Sequence, residues 1–518
     1  MRLDKVWPHH GYGEQAWTVA ERDRARTLLD ELQEGGDMNA STSAQQLKQK
    51  SAALELKLHD AEGELSRLGS TSANNVQAQQ LQRNIHDMLL QADQLEARLR
   101  ASNPAYHALL EESQVSPAAL GANLLTDGTA LVEYWLGGVR SYLWIVTATG
   151  VRSFRLPDRS KLDGLVHSYQ RSMSARDKFV AGETMQARLL RIQRSDAQLT
   201  AQSQRLAAIL LPEQFSPSVH RLLIVADGSL LSMPFGALEL PRLHAGPFRY
   251  LIEKYDLVYE PSASTAVAFL AKRTQYSGRS RIAIFADPVY SNADARVKTP
   301  DERPAVKESQ APIFRQASIT GLSELPRLPD SRKEATAIAQ IAGASNTSLF
   351  LGFDASPQKV EEIDWKSYAA AHFAAHAIVD TAHPEFSGIV LSMFHRNGSP
   401  ADGVLWLHDI YRLHMPVSLV ALSGCETADG KSIPGEGING LSRAFLYAGA
   451  HSVIGTLWDA EDSSSSELMQ SFYKKFLRQH LSAAASLRAA QQRVLSDTGH
   501  RAPYYWAGFV LEGDWQGR

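Results

Sequence analysis

Cys425 is the only cysteine in 518 residues, and it stands in the stretch SLVALSGCETADG (418–430), where an apolar run gives way to small and acidic residues. His376 lies 49 residues earlier, at the end of the run YAAAHFAAH (368–376). A thiolate is a strong nucleophile, but with an ordinary pKa of about 8.5 only a few per cent of a free thiol is ionised at neutral pH. An imidazole beside it takes the thiol proton during attack and then returns a proton to a leaving amine. Attack on a carbonyl also needs an oxyanion hole, usually two backbone N–H groups. Loops at strand ends offer such groups, and the small Gly424 and Ala377 leave the backbone accessible. Taken singly, Cys425 also reads as a buried structural thiol, and His376 as a satisfied core histidine.

The elements around the two residues favour a joint role. Residues TALVEYWLGGVRSYLWIVT (129–147) read as two strands around a Gly-Gly turn. HRLLIV, RIAIFA, AAAHFAAHAI, SGIVLSMF, VSLVALSG and HSVIGTLW are further strand-like runs, and SRKEATAIAQIAG, GLSRAFLYAGA and SSSSELMQSFYKKFLRQH are helical. Strands alternating with helices predict a mainly parallel sheet with helices on both faces. Ligands on such sheets bind beyond the carboxyl ends of the strands. Cys425 follows one strand and His376 another, so both arrive at that edge.

The first quarter of the chain has a different texture. Residues 14–34 carry a helical stripe of Ala20, Ala25, Leu28, Leu29 and Leu32, closed by Gly35-Gly36. A lone amphipathic helix cannot bury its own face, so residues 1–37 read as a helix that packs on something lying upstream. Within 38–115, Leu54, Leu58, Ala61, Leu65 and Leu68, then Leu81, Ile85, Met88, Ala92, Leu95 and Leu99, step by fours and threes. That is a coiled-coil rhythm. The polar loop between the two runs makes an antiparallel hairpin the expectation, with a parallel dimer seam as the alternative. Residues 291–326 are polar, proline-rich and irregular, and read as a long flexible loop.

Four segments, YAAAHFAAHAIVDTAHPEFSGIVLS, SLVALSGCETADG, GEGINGLSRAFLYAGAHSVIGTLWDAED and APYYWAGFVLEGD, together resemble the CHAT family. Its members are cysteine peptidases related to caspases and separases, often found after tetratricopeptide repeats. The resemblance covers roughly residues 125–518 and keeps the family's motif order; AERDRARTLLDEL resembles the family's helix between repeats and CHAT region. It implies a caspase-like fold: a degenerate half over 120–290, the loop 291–326 and a catalytic half over 327–518, preceded by the helical hairpin. Carried over by motif, Cys425 is the nucleophile and His376 the general acid and base. The backbone N–H groups of Ala377 and Cys425 are the oxyanion donors. Two positions depart from the family pattern: Ala377 replaces a common glycine, and SGCETAD replaces SACETG. Neither removes a catalytic side chain, but alanine resists the positive φ that glycine allows. GTLWDAED resembles the separase segment beside the pocket for the residue before the cut. Asp459 and Asp462 there would receive Arg or Lys, or serve as loop acids or a helix cap, and Trp458 would wall the pocket or simply pack.

The resemblance therefore implies a cysteine endopeptidase that cleaves a specific protein partner after a basic residue through a thioester. An activating partner would act through the N-terminal helical region. The alternative is an inactive caspase-like module that works through its helices. No cofactor is expected. GEGING (435–440) matches a dinucleotide fingerprint literally, but about ten polar residues separate it from the preceding strand, where the physics needs direct contact. HFAAH spaces His372 and His376 like a zinc peptidase but lacks the glutamate, and on a strand the two lie about 13 Å apart. The net charge of −3 offers no basic surface for nucleic acid or an anionic membrane. No apolar run approaches the ~20 residues of a membrane span, and the N-terminus lacks a signal-peptide core. With one cysteine and no internal disulfide, a cytoplasmic location is the expectation.

Overall fold

The computed structural model describes residues 12–23, 128–176, 180–241, 247–272, 280–297, 325–378, 387–424, 431–433, 437–458 and 461–516, with isolated positions between 54 and 125. The coiled-coil hairpin therefore lies outside the described residues apart from a few single positions. So do the centre of the 291–326 stretch and the leucines of the N-terminal helical stripe.

Sixteen strands are present among the described residues. In the first part of the chain they are β1 (Thr129–Trp135), β2 (Ser141–Thr147), β3 (Gly150–Leu156), β4 (Arg221–Val225), β5 (Asp256–Tyr259) and β6 (Ile282–Ala286). Then follow β7 (Thr347–Leu351), β8 (Ala370–Ala374), β9 (His376–Ile378), β10 (Gly388–Val390), β11 (Val404–Trp406) and β12 (Leu419–Leu422). The last are β13 (Lys431–Ile433), β14 (Gly437–Asn439), β15 (Ser452–Thr456) and β16 (Phe509–Gly513). Eleven of them form one sheet in the order β3-β2-β1-β4-β5-β16-β15-β12-β8-β6-β7. The expected class holds: a mixed α/β fold built on a large, mainly parallel sheet flanked by helices.

Register shows why the central runs are apolar throughout. Along β6, Ile282, Ile284 and Ala286 enter one core while Ala283 and Phe285 enter another. β12 divides in the same way, with Leu419 and Ala421 on one side and Val420 and Leu422 on the other. Alternate side chains face opposite ways, so both faces are buried. The first face is covered by the helices Pro329–Ala342, Asp462–Tyr473 and Ala483–Ser496. Shorter helices, Pro357–Glu362, Leu407–Arg412 and Leu441–Tyr447, cover the second. Each long helix has its signals in the sequence: Gly343 closes the first at φ 93°, and Ser482 caps the third by accepting from the Ala485 N–H.

Strand direction reverses once at the centre of the sheet. β16 runs parallel to β5 but antiparallel to β15. The set β15, β12, β8, β6 and β7 is parallel throughout, so its carboxyl ends share one edge. β6 precedes the long stretch in the chain yet sits between β7 and β8, which follow it. The helix Tyr12–Asp23 lies on the α/β body. Trp17 is fully buried and donates to Glu133, and Glu21 caps the helix Ala263–Lys272 by accepting from the Ala263 and Ser264 N–H groups. The face carrying Trp17 and Ala20 thus packs downstream, onto the sheet. No helix among the described residues is long and apolar enough to cross a membrane.

The reversal buries charge. Glu512 on β16, Glu260 after β5 and Asp514 are all at most 6% exposed, and Glu260, Glu512 and Arg443 line one cavity of about 20 Å³. Burial pushes the Glu512 carboxyl up from 4.5 to about 7. Burial, then the charges of Asp514 and Glu512, push Glu260 up as well. A carboxyl raised in the folded state holds a proton that the unfolded chain releases. Its contribution is therefore complete below the unfolded pKa and is lost as pH rises through the folded one. For Glu512 that loss runs from about pH 4.5 to about pH 7 and amounts to roughly 3 kcal/mol. Glu512→Gln, which cannot ionise, is expected to melt at a higher temperature than wild type at pH 8, with the gain shrinking by pH 5. A melting difference that does not change with pH would contradict this.

Candidate active site

Four strand exits meet at the shared carboxyl edge. β6 delivers Asp287, β8 leads to His376, β12 leads to Ser423 and Gly424, and β15 leads to Trp458. The run AAAHFAAHAI, read as one strand, is two: β8 ends at Ala374 in the large sheet, and β9 opens at His376 in a small antiparallel sheet with β10 and β11. Ala375 is the break, and it turns His376 out of the central sheet.

His376 is 6% exposed and held at both ends. Its backbone N–H donates to the Tyr290 hydroxyl at 3.2 Å, and the Tyr290 ring lies 5.0 Å from the imidazole, centroid to centroid. Nε2 lies 2.8 Å from the Pro326 carbonyl. A carbonyl can only accept, so Nε2 carries the hydrogen, and in the neutral ring the lone pair falls on Nδ1. Ala377 stands opposite Ile389 on β9, an edge strand of the small sheet. Among described non-glycine residues only Asp287 and His480 have positive φ, so alanine at 377 carries no backbone strain.

Cys425 and Asp459 lie outside the described residues. The residue before the cysteine does not. A methyl group on Gly424 would stand 1.9 Å from the Ala375 carbonyl oxygen, so its Cα is pressed against the backbone leading into His376. The Ser423 N–H donates to the Phe373 carbonyl at 3.0 Å, and Thr456 Oγ1 donates to the Gly424 carbonyl at 2.6 Å. The exit of β12 is thus fixed between those of β8 and β15.

Trp458 packs: its indole N–H donates to the Tyr504 carbonyl at 3.0 Å and its ring covers Gly508. Asp462 is the first residue of the helix Asp462–Tyr473, and its side chain lies outside the described residues. The cap of that helix is Glu461, which accepts from the Ser464 N–H at 2.8 Å. His372 is fully buried on β8, with Nε2 2.9 Å from Glu334 and Nδ1 3.3 Å from the Tyr473 hydroxyl. Of the GEGING glycines, Gly437 and Gly440 are among the described residues. Gly437 opens β14, which pairs with β13 in a hairpin, and Gly440 is the N-cap of Leu441–Tyr447.

Sequence reasoning missed the groups around Asp287. This aspartate follows β6 at φ 50° and is fully buried. Arg327 grips it with two hydrogen bonds of 2.8 and 3.0 Å, Arg332 adds one at 2.6 Å, and Arg296 lies 2.9 Å away. Burial alone would raise this carboxyl; hydrogen bonds from Arg327 and Arg332 and the charge of Arg296 outweigh it and hold it below its ordinary value. Arg296 and Arg327 sit at the two ends of the 291–326 stretch, so that stretch is tied down where it leaves and rejoins the fold.

The CHAT domain family model matches residues 200–514. Tetratricopeptide repeat protein 28 of Homo sapiens is 25% identical over 336 residues, 57% of this chain and 12% of its own. The Mus musculus protein of that name is 38% identical over 105 residues, 20% of this chain and 4% of its own. The matched segments thus span a small part of those relatives. Among solved structures, the Saccharomyces cerevisiae separase–securin complex matches with a TM-score of 0.44 at 11% identity, covering 91% of this chain and 37% of that one. The Arg specific cysteine proteinase gingipain R matches with a TM-score of 0.35 at 9% identity, covering 69% of this chain and 74% of that one.

Proposed function

The chain belongs to the CHAT domain family, and from that premise we propose that it is a cysteine endopeptidase working through Cys425 and His376. The observation that carries the reading is the seat of Gly424. One peptide bond links it to Cys425, and it rests against the backbone of Ala375 and His376.

In the proposed reaction His376 takes the thiol proton, and the thiolate attacks the scissile carbonyl. The N–H groups of Ala377 and Cys425 hold the oxyanion. The imidazolium then protonates the leaving amine, giving a thioester that water hydrolyses with His376 as base. The substrate is a specific protein partner cut after Arg or Lys, and a partner bound to the N-terminal helical region controls activity. Purified full chain is incubated with an Arg/Lys peptide library and with neighbour-encoded proteins, beside Cys425→Ala. Cleavage by wild type alone is the expected result. Equal silence in both proteins against both substrate sets removes the peptidase reading and leaves the interaction module.

Asp459 and Asp462 are the proposed receivers of the basic side chain. Asp459→Ala or Asp462→Ala is expected to lower kcat/KM for basic over neutral residues by on the order of 10-fold or more, the scale of a lost charge-assisted hydrogen bond. Unchanged preference in both variants would rule out the assignment.

A further inference from the structure

We infer that Asp287 and Arg327 form a clamp that fixes the His376 tautomer by holding the Pro326 carbonyl on Nε2. The clamp is a chain of contacts from one strand exit to another. Asp287 is anchored at the end of β6, fully buried, with its own N–H donating to Ser331 Oγ at 3.0 Å. Its two oxygens receive the Arg327 guanidinium as a fork, at 2.8 and 3.0 Å. A fork fixes orientation as well as distance. Arg327 shares a peptide plane with the Pro326 carbonyl, and that carbonyl meets Nε2 at 2.8 Å. Tyr290, three residues after Asp287, receives the His376 backbone N–H. One short segment, ADPVY, therefore sets both the main chain and the ring of His376.

A neutral imidazole left alone divides between two tautomers. The acceptor on Nε2 selects the one with its lone pair on Nδ1. Asp287 and Arg327 touch neither ring nor substrate in this scheme; they are positioning residues. Because Arg332 and Arg296 also hold Asp287, Arg327→Ala keeps the carboxylate neutralised while releasing the Pro326 carbonyl.

The role in catalysis rests on the dyad reading, so the test has a readout that does not need cleavage. In full chain with ¹⁵N-labelled histidine, the His376 ring signals are identified by their loss in His376→Ala and read at about pH 8.5, above the ordinary histidine range. Wild type is expected to show hydrogen on Nε2. Arg327→Ala is expected to show a mixture, with kcat down on the order of 10-fold and KM within about 2-fold. Arg327→Lys, which keeps charge but loses the fork, covers the case in which the alanine variant does not fold, and shifts the same way. In an Asp287→Asn background, Arg327→Ala should add little. An unchanged tautomer in both Arg327 variants overturns the clamp. A changed tautomer in a chain that cleaves nothing keeps the clamp and removes the peptidase reading.

Discussion

Cys425→Ala and His376→Ala are each expected to lower cleavage by about 10⁴-fold or more, and the double variant to be no slower than the worse single one. The two groups act as one unit: without the thiol no thioester forms, and without the imidazole the thiol stays mostly protonated and the amine leaves unprotonated. Losses within such a unit do not add. A stability control separates chemistry from folding. His376→Ala empties a site that is 6% exposed and leaves the Pro326 carbonyl without its imidazole donor. It should therefore melt lower than wild type, and its kinetics belong well below that melting point. His376→Asn keeps a donor for the carbonyl but supplies no base, so it should be as inactive as the alanine variant with more of the stability kept. Cleavage by Cys425→Ala within 10-fold of wild type would assign the nucleophile elsewhere.

The parts of the site that could be read in the sequence are those that periodicity and chain order fix. SLVAL and AAAHFAA are apolar apart from Ser418 and His372 because both faces of β12 and β8 are buried, and that marked them as strands of a parallel sheet. The strand exits followed from direction alone. What could not be read depends on contacts between distant segments. Nothing local in AAHFAAHAI shows that the run divides at Ala375, since both halves are equally apolar; the division comes from β9 pairing with β10, twelve residues on. Nothing local in FADPVY marks Asp287, because its arginines lie 9, 40 and 45 residues away. Of these, Arg296 stands in the stretch 291–326, whose proline and charge content signals irregular chain, Arg327 just past its end and Arg332 in the helix that follows. Irregular chain can still be anchored by ion pairs at its ends. The N-terminal helix taught the same lesson. Its stripe predicted a buried face, but only the fold shows that the face carrying Trp17 lies against Glu133, more than a hundred residues downstream.

Gly424→Ala is expected to abolish cleavage and to lower stability, although it adds one methyl group and touches neither catalytic side chain. The new carbon would stand 1.9 Å from the Ala375 carbonyl oxygen and 3.1 Å from its carbon. Both are backbone atoms, so no side-chain rotation relieves the clash. Either β12's exit must move away from β8's, or the Ala375–His376 peptide must turn. The first breaks the 2.6 Å hydrogen bond from Thr456 to the Gly424 carbonyl and the one from Ser423 to Phe373; the second pulls His376 off the Pro326 carbonyl. Overpacking of this kind costs roughly 1–3 kcal/mol, which a fold of this size survives, so a folded but silent protein is the expected product. Thr456→Ala separates the alternatives. It removes the hydroxyl that holds the Gly424 carbonyl but adds no atom, so it should lower kcat far less than the glycine variant. If Gly424→Ala cleaves at the wild-type rate, the strand exits are not held as closely as these contacts require, and the proximity of Cys425 to His376 loses its support.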